Sequence, residues 1–184
     1  MVKKFIYSLL ILSLCTSCIK TYLLKDGFTK VPYNHKLYEN PKFNLEVFKI
    51  IDTNSIYIDT FSVYRGKISL PKYSLSVLRF YPNGLYNRFQ VDNNFLVDDL
   101  NHANLNFKET GSRGYYYYKN NELQLVSFGS INELYTIDMV ESKIILTNDN
   151  LLIQSYPNGK VFYYYKKISI PEKWKNTKPN SQWE

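Results

Sequence analysis

The stretch Gly114-Tyr-Tyr-Tyr-Tyr-Lys-Asn-Asn-Glu-Leu-Gln-Leu-Val-Ser-Phe-Gly-Ser130 decides the fold. Tyr115 to Tyr118 and Leu123 to Phe128 are two short runs of aromatic and branched residues, the types that fit a pleated, half-buried surface. Lys119-Asn120-Asn121 between them is turn chemistry, because asparagine tolerates the left-handed backbone of a tight reversal. The unit is a hairpin. The same grammar continues to the C-terminal side, where Leu134 to Val140, Ser142 to Thr147, Leu151 to Tyr156 and Val161 to Ile168 read as further strands. Their breaks fall at Gly129-Ser130, Glu141, Asn148-Asp149-Asn150 and Pro157-Asn158-Gly159. Turn signals at this spacing indicate an all-β sandwich or barrel. The connections are too short for parallel crossovers, so the strands follow one another as antiparallel hairpins.

Toward the N-terminus the pattern persists. Phe43, Leu45 and Val47 alternate with Asn44 and Glu46, the period of two expected of a strand. Ser55 to Tyr64 alternates again, with Tyr57, Asp59, Phe61 and Val63 against Ile56, Ile58, Thr60 and Ser62. Arg65-Gly66 turns the chain into Lys67 to Leu70. Leu75 to Tyr81 and Leu85 to Val91 flank Pro82-Asn83-Gly84, in which proline presets the first turn position and glycine takes the left-handed one. Tyr-Pro-Asn-Gly recurs at residues 156–159 and resembles the hairpin repeats of MORN-like proteins, but two distant copies read as a reused turn. Asp92 to Leu105 is different. Phe95, Leu96, Asp99, Leu100 and Ala103 suggest one short helix across an end of the sheet.

Composition agrees: 18 Tyr and 11 Phe stand against 7 Gly in 184 residues. The β domain is expected over residues 43–170. Residues 18–42 form a tether and lead-in, broken by Gly27, Pro32 and Pro41. Residues 171–184 form a polar, basic tail in which Trp174 or Trp183 either docks on the body or stays loose. Ten or eleven strands must bury one face, and an up-and-down barrel does so while removing exposed edges. The antiparallel meander resembles lipocalin-like envelope proteins. The Gly-x-Trp strand motif of lipocalins is missing, the nearest early glycine running Gly27-Phe28-Thr29.

The first residues carry a different kind of information. Lys3 and Lys4 precede the apolar run Phe5 to Leu14, which is too short to span a bilayer and fits the core of a signal peptide. Thr16, Ser17 and Cys18 follow. This resembles the lipobox of bacterial lipoproteins, with Cys15 where leucine is usual. Cys15 is rejected as the acceptor because Leu14 before it is too large. The resemblance implies cleavage between Ser17 and Cys18, removal of residues 1–17, and a lipid on the Cys18 thiol. Two or three acyl chains anchor stably, since each buried methylene contributes about 0.8 kcal/mol. No acid follows in Ile19-Lys20-Thr21-Tyr22, which by the same resemblance implies the outer membrane, facing the periplasm. Cys15 leaves with the signal, so the mature chain has no disulfide. Lys3 and Lys4 leave too, lowering the formal charge of +7 by two.

Chemistry-bearing motifs are sparse. Asp98, Asp99 and His102 would share one helical turn and are the one candidate for a metal, although zinc normally draws three or four protein ligands; no metal and no cofactor is expected. Gly-x-Ser-x-Gly, a phosphate-cradling glycine loop and a Cys–His pair are absent. Tyr115, Tyr117, Tyr163 and Tyr165 form either an aromatic surface for a ligand or ordinary cross-strand packing. Arg79, Phe80, Tyr81, Arg88 and Phe89 interleave bases with aromatics as single-strand binders do, but an envelope protein does not meet nucleic acid. The expectation is a lipid-anchored envelope lipoprotein, not an enzyme, that binds a protein partner or an apolar, lipid-like ligand. The alternative is an envelope hydrolase with carboxylates on distant strands.

Overall fold

The computed structural model describes residues 21–23, 30–32, 44–101, 111–120, 122–130, 137–147, 151–155 and 161–175. Strands β1 (Thr21–Leu23) and β2 (Lys30–Pro32) pair antiparallel, where an irregular lead-in was expected. The other nine are β3 (Ser55–Tyr64), β4 (Lys67–Ser69), β5 (Ser74–Phe80), β6 (Leu85–Asp92), β7 (Ser112–Lys119), β8 (Glu122–Ser130), β9 (Ile137–Leu146), β10 (Leu151–Ser155) and β11 (Val161–Ser169). Each of β5 to β11 is antiparallel to its chain neighbour, and β11 also pairs with β3 along Ser55 to Tyr64. That last ladder closes the sheet. The fold is an eight-stranded antiparallel barrel of β3 and β5 to β11, not a sandwich.

The β4 strand is an adjunct. It pairs with Ser62 to Tyr64 of β3, while β5 pairs with Ile56 to Ile58 on the same edge. Pro71 lies between the two partners and has no N–H to give a ladder. Between β5 and β6 the Tyr81-Pro-Asn-Gly turn forms as its residues dictate. Gly84 has φ +83° and its N–H reaches the Tyr81 carbonyl at 3.1 Å.

Ladder register sorts the side chains. Tyr57, Leu78, Phe80, Tyr86, Tyr116, Leu123, Leu125, Ile144 and Tyr165 share the inward face and form one buried cluster. Phe80 sits at its centre. Its ring is edge-on to Tyr57 at 5.4 Å and to Tyr116 at 5.1 Å. One end of this cluster is plugged by a 3-10 helix, Leu45–Lys49, through Val47 and Ile51. Residues 43–47 were expected as a strand, of which Phe43 lies outside the described residues. Leu45 and Glu46 are exposed, while Val47, Ile50 and Ile51 turn inward at helical spacing, so the plug overrides the alternation. On the outward face, Ile56, Ile58, Val77, Phe89 and Val91 are covered by Leu100, Ile170 and Trp174. Trp174 belongs to α1 (Glu172–Lys175), the only α-helix among the described residues. The tail therefore docks Trp174, while Trp183 lies outside the described residues.

Other expectations change in detail. The helix read over residues 92–105 is a single 3-10 turn, Val97–Asp99; residues 102–110 lie outside the described residues. The break expected at Glu141 does not occur, and β9 runs through it. Glu141 is exposed on the outer face, where a charge interrupts nothing. The start of that expected strand, residues 134–136, is outside the described residues. In β3 the single alternating phase fails at Thr60. The register with β11 shifts between Tyr164 and Tyr165, and the Thr60 hydroxyl donates to the Tyr164 carbonyl at 2.8 Å. The shift is a β-bulge, which re-aims the side chains beyond it. Asp59 points inward with Tyr57, whereas Phe61 points outward and stacks on Tyr164 at 4.3 Å.

Gly114 faces inward opposite Tyr86. A Cβ there would lie 2.1 Å from the Val126 carbonyl oxygen and 2.5 Å from the Tyr86 ring. Gly114→Ala is expected to destabilise the fold by about 1–3 kcal/mol, the usual cost of overpacking, as a lowered urea midpoint. The buried phenols add a pH signature. Burial pushes Tyr57 up to about 12 and raises Tyr81 and Tyr116 as well. Unfolded phenols ionise near pH 10, so this contribution is complete below pH 10 and is lost as pH climbs through the folded values. The urea midpoint should hold up to about pH 9 and fall steeply between about pH 10 and 12.

Candidate functional site

The inward face does not stay apolar along the barrel. Away from the 3-10 plug, toward the β3–β4 turn, the inward positions become Asp59 and Ser62 of β3, Ser76 of β5, Arg88 and Gln90 of β6, Ser142 of β9 and Gln154 of β10. Asp59, Ser62 and Ser76 are half-buried and Gln90 is exposed, so water reaches this end.

A hydrogen-bonded bridge crosses the interior. Arg88 Nη2 donates to Gln154 Oε1, joining β6 to β10 through the middle of the barrel. Gln154 is buried. Its amide Nε2 donates to Ser142 Oγ at 2.7 Å, and its Oε1 also accepts from the Tyr165 hydroxyl at 3.3 Å. A half-buried guanidinium inside a barrel needs such acceptors, because part of its hydration is lost on folding. The amide and two hydroxyls come from three strands that only closure brings opposite β6.

Asp59 completes the electrostatics. Burial raises its carboxyl pKa, and the Arg88 guanidinium pulls it back down. Asp59 Oδ1 is buried with no hydrogen-bond partner, and so is Ser76 Oγ. The last β3–β5 pair is Ile58 with Val77, so these two atoms sit on neighbouring strands one step further along. The site thus offers a delocalised cation, an ionisable carboxylate and two oxygens able to accept a proton donor. Unpaired buried oxygens cost stability and are the kind of group a bound ligand satisfies.

The residues singled out from sequence are distributed differently. Tyr115 and Tyr117 face outward, buried with Leu85 and Val126. Tyr165 faces inward in the aromatic cluster, with Tyr163 packed against it. The four do not form one surface, because β7 and β11 present opposite phases of their tyrosine runs. Tyr117 donates to Glu141 Oε1 at 3.2 Å; burial and that carboxylate push it up to about 12. A groove of about 530 Å³ beside it is lined by Gln124, Glu141, Lys143, Ser155 and Phe162. Asp98 and Asp99 are exposed on the 3-10 turn, and the Asp99 carboxylate accepts the Leu96 N–H. His102, Ser17 and Cys18 lie outside the described residues. No group of three metal-ligating side chains occurs among the described residues, and none of their helices is long and apolar enough to cross a membrane.

No family model matches the chain, no curated protein is significantly similar to it, and no solved structure matches it. The interior is therefore read from its own geometry. Asp59, Arg88 and Gln154 were missed from sequence as a unit. Arg88 inside the pattern Tyr86-Asn87-Arg88-Phe89 was the available signal, since it occupies the phase of the inward Tyr86.

If the bridge holds the interior together, Gln154→Leu should cost about 1–3 kcal/mol, because it strips an acceptor from a half-buried cation. The loss should shrink in an Arg88→Met background, and a double-mutant cycle in urea measures the coupling.

Proposed function

We propose that this protein is a lipid-anchored envelope lipoprotein with a non-enzymatic role, binding a lipid-like ligand by its polar head at the open end of the barrel. One observation carries the reading: a guanidinium, a carboxylate oxygen and a hydroxyl meet on the inward face, two of them without partners. A phosphate-bearing head would meet Arg88, and an ammonium or hydroxyl would meet Asp59 and Ser76. The other half of the interior is taken up by the buried aromatic cluster, which favours acyl chains that stay outside. Anchoring at Cys18 rests on the lipobox resemblance and sets the barrel among such ligands. Glycoside hydrolysis is less well supported, because it needs a second carboxylate about 5–10 Å away, and among the described residues the charged group that acts on Asp59 is Arg88.

Titration with the soluble head analogue glycerophosphoethanolamine tests the site. Calorimetry should show saturable binding that Asp59→Asn weakens at least tenfold, about 1.4 kcal/mol, with the fold intact. Metabolic labelling with palmitate should mark the chain and fail on Cys18→Ser. Absence of binding sinks the ligand reading, and absence of label sinks the anchor.

A further inference from the structure

The β3–β4 hairpin and the segment behind it carry an exposed apolar surface. Tyr64 is 47% exposed, Ile68 71%, Leu70 68% and Tyr73 87%. These four fall within ten residues, whereas the other large exposed apolar groups among the described residues are scattered over the 3-10 plug, Leu96 and Ile145. Single exposed apolar residues are ordinary; these crowd one hairpin, whose ladder pairs Tyr64 with Lys67 on one face and Val63 with Ile68 on the other, so both faces of its tip are apolar and exposed. The hairpin is well formed, with Arg65 at φ +49° and Gly66 at φ +78° making the reversal.

Charge says what it contacts. From Thr60 to Val91 the chain has no aspartate or glutamate, and in the hairpin and the segment behind it stand Arg65, Lys67 and Lys72. Lys67 and Lys72 are exposed, and the Arg65 guanidinium lies over the Tyr64 ring at 5.2 Å. Tyrosines, branched aliphatics and long cationic side chains at one protruding edge suit the boundary between headgroups and acyl chains. There the apolar stems are buried and the charges meet phosphate. The patch ends where β5 begins, since Ser74 pairs with Asp92.

We propose that this hairpin docks the open end of the barrel on an anionic phospholipid surface. Tyr64, Ile68, Leu70 and Tyr73 enter the interface, and Arg65, Lys67 and Lys72 meet the phosphates. The docking does not depend on a ligand in the interior. Each basic side chain near such a surface strengthens binding about fivefold, so three give a preference of roughly 100-fold over neutral vesicles.

Amide hydrogen exchange of the full chain tests it, read peptide by peptide with vesicles of phosphatidylcholine alone and of phosphatidylcholine mixed with phosphatidylglycerol. Exchange across residues 64–73 should slow with the anionic vesicles and not with the neutral ones. The protection should fade as salt is raised and disappear in Lys67→Glu/Lys72→Glu, whose exposed positions leave the barrel exchange pattern unchanged. The proposal is overturned if residues 64–73 stay unprotected on vesicles that hold the protein elsewhere. Equal protection on neutral vesicles also overturns it. So does protection that grows with protein concentration without lipid, which would mark a second copy on the open β4 edge.

Discussion

The antiparallel ladder between β11 and β3 joins the last strand of the barrel to the first, across most of the sequence. Without it the sheet would have two long, aromatic-rich edges, which are templates for association. With it, the inward faces of strands distant in the chain meet, and Tyr165 comes into the same cluster as Tyr57 and Phe80. The bulge at Thr60 is part of the same constraint. By shifting the β3–β11 register by one residue, it turns Asp59 inward while leaving Phe61 to stack on Tyr164 outside.

The interior that results has two halves of opposite character. Near the 3-10 plug, aromatic rings pack edge to face around Phe80, a geometry that contributes beyond its buried area. Toward the β3–β4 turn, the same inward phase carries Asp59, Ser76, Arg88 and Gln154. Charged and polar side chains there are held by strands several positions apart around the barrel. A filled apolar half stabilises the fold. The polar half does the opposite, since an orphaned carboxylate oxygen and hydroxyl are costs that a purely structural core would avoid. Sites that carry such costs are the expected place for binding.

The outer surface repeats the division. Trp174 and Leu100 cover one apolar patch formed by Ile56, Val77 and Phe89. The apolar side chains of the β4 hairpin are left uncovered and are flanked by cations. Only the first is answered by the chain itself. The proposed membrane-facing hairpin and the polar interior lie toward the same end, so a docked barrel would turn its polar half to the headgroups.

Strand positions, hairpin turns and the all-β class were legible from residues alone, because they depend on local chemistry. Alternation needs neighbours two apart, and the Pro-Asn-Gly turn at residues 82–84 needs only its own backbone preferences. The plug at residues 45–49 was misread because Val47 and Ile51 are recruited by the barrel end against their local alternation. The tyrosine runs were ambiguous because a strand shows which residues share a face but not which face turns inward. Barrel rather than sandwich, the phase change at Thr60, and the meeting of Arg88 with Gln154 all follow from closure. Closure pairs residues more than ninety positions apart, and no short-range pattern encodes that distance.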